Sequence, residues 1–285
     1  MTGDAKRRVG PVHQILILDR GTRLPDDHGA RRDALLEQFS SYRLWQRDEL
    51  TAFLADEYGD RVARAFDDVR PYAYKTDLAR YCLLHRLGGW YVDYGLRRIQ
   101  VPGNLPDVDL VAFRDRQSHS RTSWAVQCGL LFARPGLDAL GDAIDRCVHN
   151  IEHRYYGPTP LNPTGPAVLG QAIARHGDGM RMLLGDFIDL TPLHTRDNLA
   201  YVGADGWIWA LYKVTDPGRL GFAGTNAYND LWHAGLVYTE TSTTDRPGIA
   251  LDEPYRSLER AAVGGPRLRH LVLRALRDKA RLRRS

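Results

Sequence analysis

Hydrophobic and polar positions along this 285-residue chain follow two alternating periods. Val12–Asp19 is a short β-branched and apolar run that closes on Asp-Arg-Gly, which predicts a buried strand followed by a loop. Helical spacing appears over Arg31–Phe39, where Ala34, Leu35 and Phe39 recur, and Tyr42–Trp45 reads as a second short strand. Asp48 is placed as an N-cap before Leu50, Phe53 and Leu54, and Gly59–Val69 is a further amphipathic piece. The best-defined unit is Tyr72–Leu87, helical in period and stopped by Gly88–Gly89, where glycine takes the left-handed cap conformation. Trp90–Tyr94 follows at once as a strand. Val108–Phe113, Val126–Ala133 and Trp207–Val214 are further strands; Leu137–Tyr155 and Gly165–His176 are helices. Strands alternating with helices predict an α/β fold with a mainly parallel central sheet.

Composition supports a globular protein: 43% of residues are hydrophobic and 26% charged, enough of the first to fill a core. No run has the length of a membrane-spanning helix or of a signal-peptide apolar region. Cys82, Cys128 and Cys147 are odd in number and lack metal-ligand spacing, so a reducing, cytoplasmic setting is expected. The net charge of +4 has a local origin. Pro266 to Ser285 holds eight Lys/Arg against one Asp, which leaves residues 1–265 at −3. A body of that sign is a poor match for nucleic acid, and no nucleic-acid partner is expected.

The chemistry concentrates in Lys75-Thr76-Asp77-Leu78-Ala79-Arg80-Tyr81 and, further on, Leu87-Gly88-Gly89-Trp90-Tyr91-Val92-Asp93. Asp77 and Arg80 stand three apart and share a helix face. The glycine pair turns the chain, and Asp93 arrives near the end of the next strand, where open α/β sheets bind ligands. Two carboxylates and a guanidinium are thus expected at one crevice. Carboxylates accept hydrogen bonds from ribose hydroxyls or hold a divalent cation, and arginine suits phosphate. Singly, such residues are more often a surface ion pair and a helix cap; their order and spacing make the signal specific.

That ordered string resembles the DXD-containing sugar-binding glycosyltransferases, a family related to the Och1-type mannosyltransferases and the clostridial glucosylating toxins. The match falls at Asp77, Arg80, Tyr81, Leu84, Gly88, Gly89, Tyr91 and Asp93. Pro11–Ile15 is similar to the family's first strand, Gln127–Gly136 to a later strand and turn, and Thr164-Gly165-Pro166 to a later triplet. The resemblance implies a GT-A fold, a Rossmann-like sheet that binds a nucleotide-diphosphate sugar. It implies donor contacts at His13, Gln14, Ile15, Thr76, Asp77, Arg80, Tyr91 and Asp93, with Asp93 the catalytic first acid of the triplet. It also implies a retaining transfer, with Mn²⁺ or Mg²⁺ to stabilise the departing diphosphate.

One position departs from the pattern: the triplet is Asp93-Tyr94-Gly95, and glycine offers no ligand where the second acid belongs. Three readings stay open. Asp93 holds the metal with the diphosphate, water and a distant residue; or Arg97, Arg98 or Lys213 replaces the metal; or the site binds a donor without turning it over. Tyr228–His233 offers helpers, with Asp230 and His233 as compensating metal ligands and Trp232 against the diphosphate, although an aromatic-rich segment more often packs than binds. Tyr155–Pro160 reads as an acceptor-side loop or as a packed surface loop.

Residues 1–10 are expected to be disordered, 11–250 to form the glycosyltransferase domain, and 251–285 to be a basic amphipathic helical extension. That extension suits peripheral contact with the inner face of an anionic membrane, or a solvated end. The function expected is transfer of a hexose from a UDP- or GDP-linked donor to a carbohydrate or small-molecule acceptor. The alternative is a non-catalytic sugar-nucleotide or glycan-binding protein on the same scaffold.

Overall fold

Every residue of β1 (Val12–Ile15) and of β3 (Gly89–Val92) is buried, the mark of strands covered on both faces. The computed structural model describes residues 9–105, 107–116, 122–190, 198–212 and 228–239. Residues 1–8, Lys213 and the 251–285 extension lie outside the described residues. All described residues fall in one unit, Met1–Thr241.

Between β1 and β3 come α1 (His28–Leu36), β2 (Tyr42–Trp45), α2 (Arg47–Tyr58), α3 (Asp60–Asp68) and α4 (Tyr72–Leu87). After β3 come β4 (Leu110–Arg114), β5 (Val126–Ala133), α5 (Asp138–Glu152), α6 (Pro166–Arg175), β6 (Met182–Asp189), β7 (Leu199–Val202), β8 (Ile208–Leu211) and α7 (Tyr228–His233). The eight strands form one sheet in the order β2-β1-β3-β5-β4-β6-β7-β8. The α/β expectation holds, with a qualification on direction. Six strands point one way, while β5 and β7 run against their neighbours. Among the described residues no α-helix separates β4 from β5, or β6, β7 and β8 from one another; a chain without a crossover returns antiparallel.

One face of the sheet packs against α2 to α6 through Leu50, Phe66, Leu78, Leu83, Leu140 and Val148. The other encloses a second core of Phe39, Trp90, Phe113, Tyr201 and Trp209. Trp90 of β3 and Trp209 of β8 have ring centroids 6.3 Å apart. In a flat sheet five strand spacings of about 4.8 Å would separate them, so the sheet curls strongly. That curl brings late strands over the early ones and matters for the site.

Two local features set the geometry after α4. Gly88 caps the helix, its N–H donating to Leu84 O at 2.9 Å, and Gly88 and Gly89 have φ of +65° and +89°. A side chain on Gly88 would run into Pro135, and one on Gly89 would lie 2.7 Å from Pro11 O. The pair therefore serves conformation and close approach at once. At α2 the cap is Gln46, which forms a capping box with Glu49; Asp48 sits in the first turn, where its charge favours the helix N-terminus.

Candidate functional site

The i, i+3 spacing on α4 places Asp77 and Arg80 side by side, and the glycine turn returns β3 alongside them. Arg80 Nη1 donates to Asp77 Oδ1 at 2.6 Å. Its Nη2 donates to Asp93 Oδ1 at 3.2 Å and to the Tyr91 hydroxyl at 3.4 Å. Tyr91 in turn donates to Asp93 Oδ1 at 2.8 Å, and the guanidinium lies 4.4 Å from the centre of the Tyr91 ring. Asp93 follows the last residue of β3, its backbone N–H donating to Gly129 O at 2.7 Å. Asp77, Arg80, Tyr91 and Asp93 are thus one connected network, at the carboxyl end of a strand as expected.

The network is mostly interior. Arg80 is only 3% exposed and Tyr91 is fully buried. Burial works against the Arg80 charge, but Tyr91, Asp77 and Asp93 hold it firmly protonated. Burial likewise pushes the Asp77 carboxyl above the usual carboxylate range, against the pull of Arg80 and Thr164. Arg80 therefore reaches a ligand through the two acids it orients. Its Nε has no hydrogen-bond partner.

Thr164, the first residue of the triplet Thr164-Gly165-Pro166, joins the network although the resemblance implies no donor contact there. Its hydroxyl donates to Asp77 Oδ2 at 2.9 Å, so both Asp77 oxygens are engaged. Tyr81, another motif residue, donates its hydroxyl to Thr164 O at 3.1 Å and fixes that segment from below. A side chain on Gly165 would come within 3.2 Å of Asp77 Oδ2.

The remaining expected residues are placed elsewhere or do other work. His13 is buried: Trp45 Nε1–H donates to its Nδ1 at 3.2 Å, so Nε2 carries the proton and donates to Gly88 O at 3.2 Å. Burial lowers its pKa, in keeping with a neutral ring that ties β1 to β2 and to the end of α4. Gln14 accepts from the Tyr42 hydroxyl at 3.1 Å, Ile15 belongs to the helix-side core, and Thr76 is half-buried on α4. Trp232 donates to Tyr156 O at 2.9 Å, while Asp230 and His233 are exposed on α7. The loop at Tyr155–Pro160 is packed, with Pro160 O accepting from Tyr74 at 2.6 Å.

The donor set at Asp93 does not fit a metal site built by the protein. Oδ1 already accepts from Tyr91 and from the Arg80 cation, and Gly95 supplies no ligand. Among the described residues, no three His, Cys, Asp or Glu side chains gather as a metal-binding group, and Asp93, Asp230 and His233 do not come together as one.

A cavity of about 1240 Å³ lies between α1 and the segment after β3, lined by Gln14, Arg31, Gln38, Tyr94, Arg97 and Arg98 among others. Of the expected donor-binding residues it touches Gln14, and of the cations expected to stand in for a metal it touches Arg97 and Arg98. Its lining residues Tyr94 and Leu96 lie in the turn that starts at Asp93, closed by Leu96 N–H to Asp93 O at 3.0 Å. Arg97 donates to Tyr212 O at 3.2 Å, and Arg98 has a φ of +49°. The network carries the charge chemistry and the cavity the volume, so the two are adjoining features.

The chain is an α/β protein with a buried ion network at the end of a central strand. No protein-family model matches it, and no curated protein matches it. Among solved structures it is similar to one described as "PaToxG Glycosyltransferase", at 16% identity and a TM-score of 0.42, over 59% of this chain and 69% of that one. No helix of the described residues is long and apolar enough to cross a membrane.

Proposed function

We propose that this protein is a glycosyltransferase that moves a hexose from a UDP- or GDP-linked donor to a carbohydrate or small-molecule acceptor. The observation that carries the reading is the buried Arg80 joining Asp77 on α4 to Asp93 at the end of β3. A guanidinium held between two acids fixes their orientation before a ligand arrives, and preorganised acceptors suit ribose and hexose hydroxyls. The ordered motif from Lys75 to Asp93 supports the same reading. In the retaining course implied by the resemblance, the acceptor oxygen forms its bond to the anomeric carbon as the bond to diphosphate breaks. The acceptor's proton passes to the departing diphosphate. In this reading the acceptor enters the cavity beside Tyr94, whose lining mixes polar and charged side chains with apolar ones.

Mn²⁺ or Mg²⁺ arriving with the diphosphate would neutralise its departing charge. Donor binding rests on hydrogen bonds and charge from the chain itself, so affinity should change only a few-fold when a chelator is added. Gly95 favours a second reading, in which the same site binds a sugar nucleotide without transfer. A panel of UDP- and GDP-sugars, assayed for transfer and for hydrolysis with and without chelator, separates the two. Binding with neither transfer nor hydrolysis would favour the second, and no binding at all would sink both.

A further inference from the structure

The inference starts from an orphan. Tyr201 on β7 is fully buried, and its hydroxyl has no hydrogen-bond partner. Its ring is wedged edge-on to Phe113 at 5.1 Å and beside Phe187 at 4.8 Å, so the hydroxyl is held where it is. Native interiors leave few such groups unpaired, because burying an unmade hydrogen bond destabilises the fold.

The orphan sits beside the network. The position that a side chain on Gly129 would occupy is 3.1 Å from Asp93 Oδ2 and closer still to the Tyr201 hydroxyl. Glycine there leaves a window in β5, with the carboxylate on one side and the hydroxyl on the other. Gly129 O also accepts the Asp93 N–H at 2.7 Å, pinning the Asp93 backbone at the edge of this window. Burial first, and then the charge of Asp93, hold the Tyr201 pKa well above its ordinary value, so the group remains an O–H donor. Asp93 Oδ1, by contrast, already accepts from Tyr91 and Arg80.

We propose that Tyr201 is a positioning residue for Asp93, donating its hydroxyl to the Oδ2 side of the carboxylate across the Gly129 window when a sugar nucleotide binds. The inference rests on the donor-binding reading above and adds to it a residue that the motif does not contain. Tyr201 acts through Asp93 and touches no reacting atom. The hydroxyl is unpaired without ligand and paired with it. The stability forgone in the first becomes affinity in the second.

The test compares wild type with Tyr201→Phe and Gly129→Ala, using UDP and GDP as probes in calorimetry and thermal unfolding. Without ligand, Tyr201→Phe should melt higher by a few degrees, because the change removes an unpaired buried hydroxyl and little else. Its affinity for the nucleotide that wild type binds should fall about tenfold. The acid limb of binding should move up by about one pH unit, since a hydrogen bond to the charged carboxylate is lost. Gly129→Ala closes the window and should weaken binding at least as much, while the double variant should regain part of the stability that Gly129→Ala loses. A Tyr201→Phe melting point equal to or below wild type would overturn the proposal, as would unchanged affinity or an unmoved acid limb. If wild type itself binds neither nucleotide, the donor reading falls and takes this inference with it, which the wild-type titration alone reveals.

Discussion

A cation with 3% exposure persists only if what surrounds it is nearly as well placed as water. Arg80 meets that condition through Asp77, Asp93 and Tyr91. Replacing it with Met should therefore cost about 3–5 kcal/mol, because two interior carboxylates lose their counter-charge, and a urea unfolding midpoint measures the loss. A loss below about 1 kcal/mol would mean that the pair is solvated in a way the geometry does not show. Lys75 gives a second residue-scale prediction. It is buried, with Nζ donating to the carbonyls of Phe66 and Asp67. Burial first, then Arg47, lowers its pKa from 10.5 to about 8, against the pull of Asp67 and Asp68. Between those two values the unfolded chain keeps a proton that the folded one has released, so the Lys75 contribution to stability rises with pH. The unfolding midpoint of wild type should gain on that of Lys75→Met as pH goes from about 7.5 to about 10. Parallel pH profiles would refute the assignment. Asp77, Arg80 and Asp93 were legible in the sequence because helix spacing and a strand end fix them locally. Tyr201 and Gly129 were not, since the sheet's curl alone brings β7 near β5.

At the scale of elements, α4 has the bounds Tyr72–Leu87 that its apolar period and terminal glycines predict. The glycines are the part most open to test. Gly89→Ala would combine a φ of +89° with a side chain 2.7 Å from Pro11 O, and Gly88→Ala a φ of +65° with a clash on Pro135. Each should cost about 2 kcal/mol or more, whereas Gly136→Ala, at φ +74° but in open space, should cost only about 1–2 kcal/mol. Equal losses at all three sites would show that close approach adds nothing to backbone conformation. β6 and β7 were not legible. β6 alternates irregularly, with Met182 and Ile188 exposed, so the period-2 signal fails there. The first strand was expected to run to Asp19 but pairs only to Ile15, where its partner β2 ends at Trp45. The helical cap at Gln46 went unseen because its strength comes from the reciprocal bond to Glu49.

At the scale of the whole molecule, charge and volume are unevenly shared. Positive charge is concentrated in Pro266 to Ser285, while the remainder carries −3. Contact with an anionic membrane through that tail is a proposal with a direct check. Full-length protein should sediment with phosphatidylserine vesicles at low salt and be released as salt screens the attraction, while a variant lacking 266–285 should stay in solution. Sedimentation of both or of neither would end it. The fold class followed from the alternation of elements, but the reversed strands and the curl follow from long-range packing that no local pattern encodes.

The central claim is that Asp77 and Asp93 hold a sugar nucleotide, and calorimetric titration tests it most directly. UDP, GDP and their hexose conjugates are titrated into wild type, Asp77→Asn and Asp93→Asn, with circular dichroism confirming that each variant is folded. The account predicts saturable binding of at least one nucleotide by wild type and a loss of about tenfold or more in both variants. Equal affinity in all three proteins, or no binding to wild type, would contradict it.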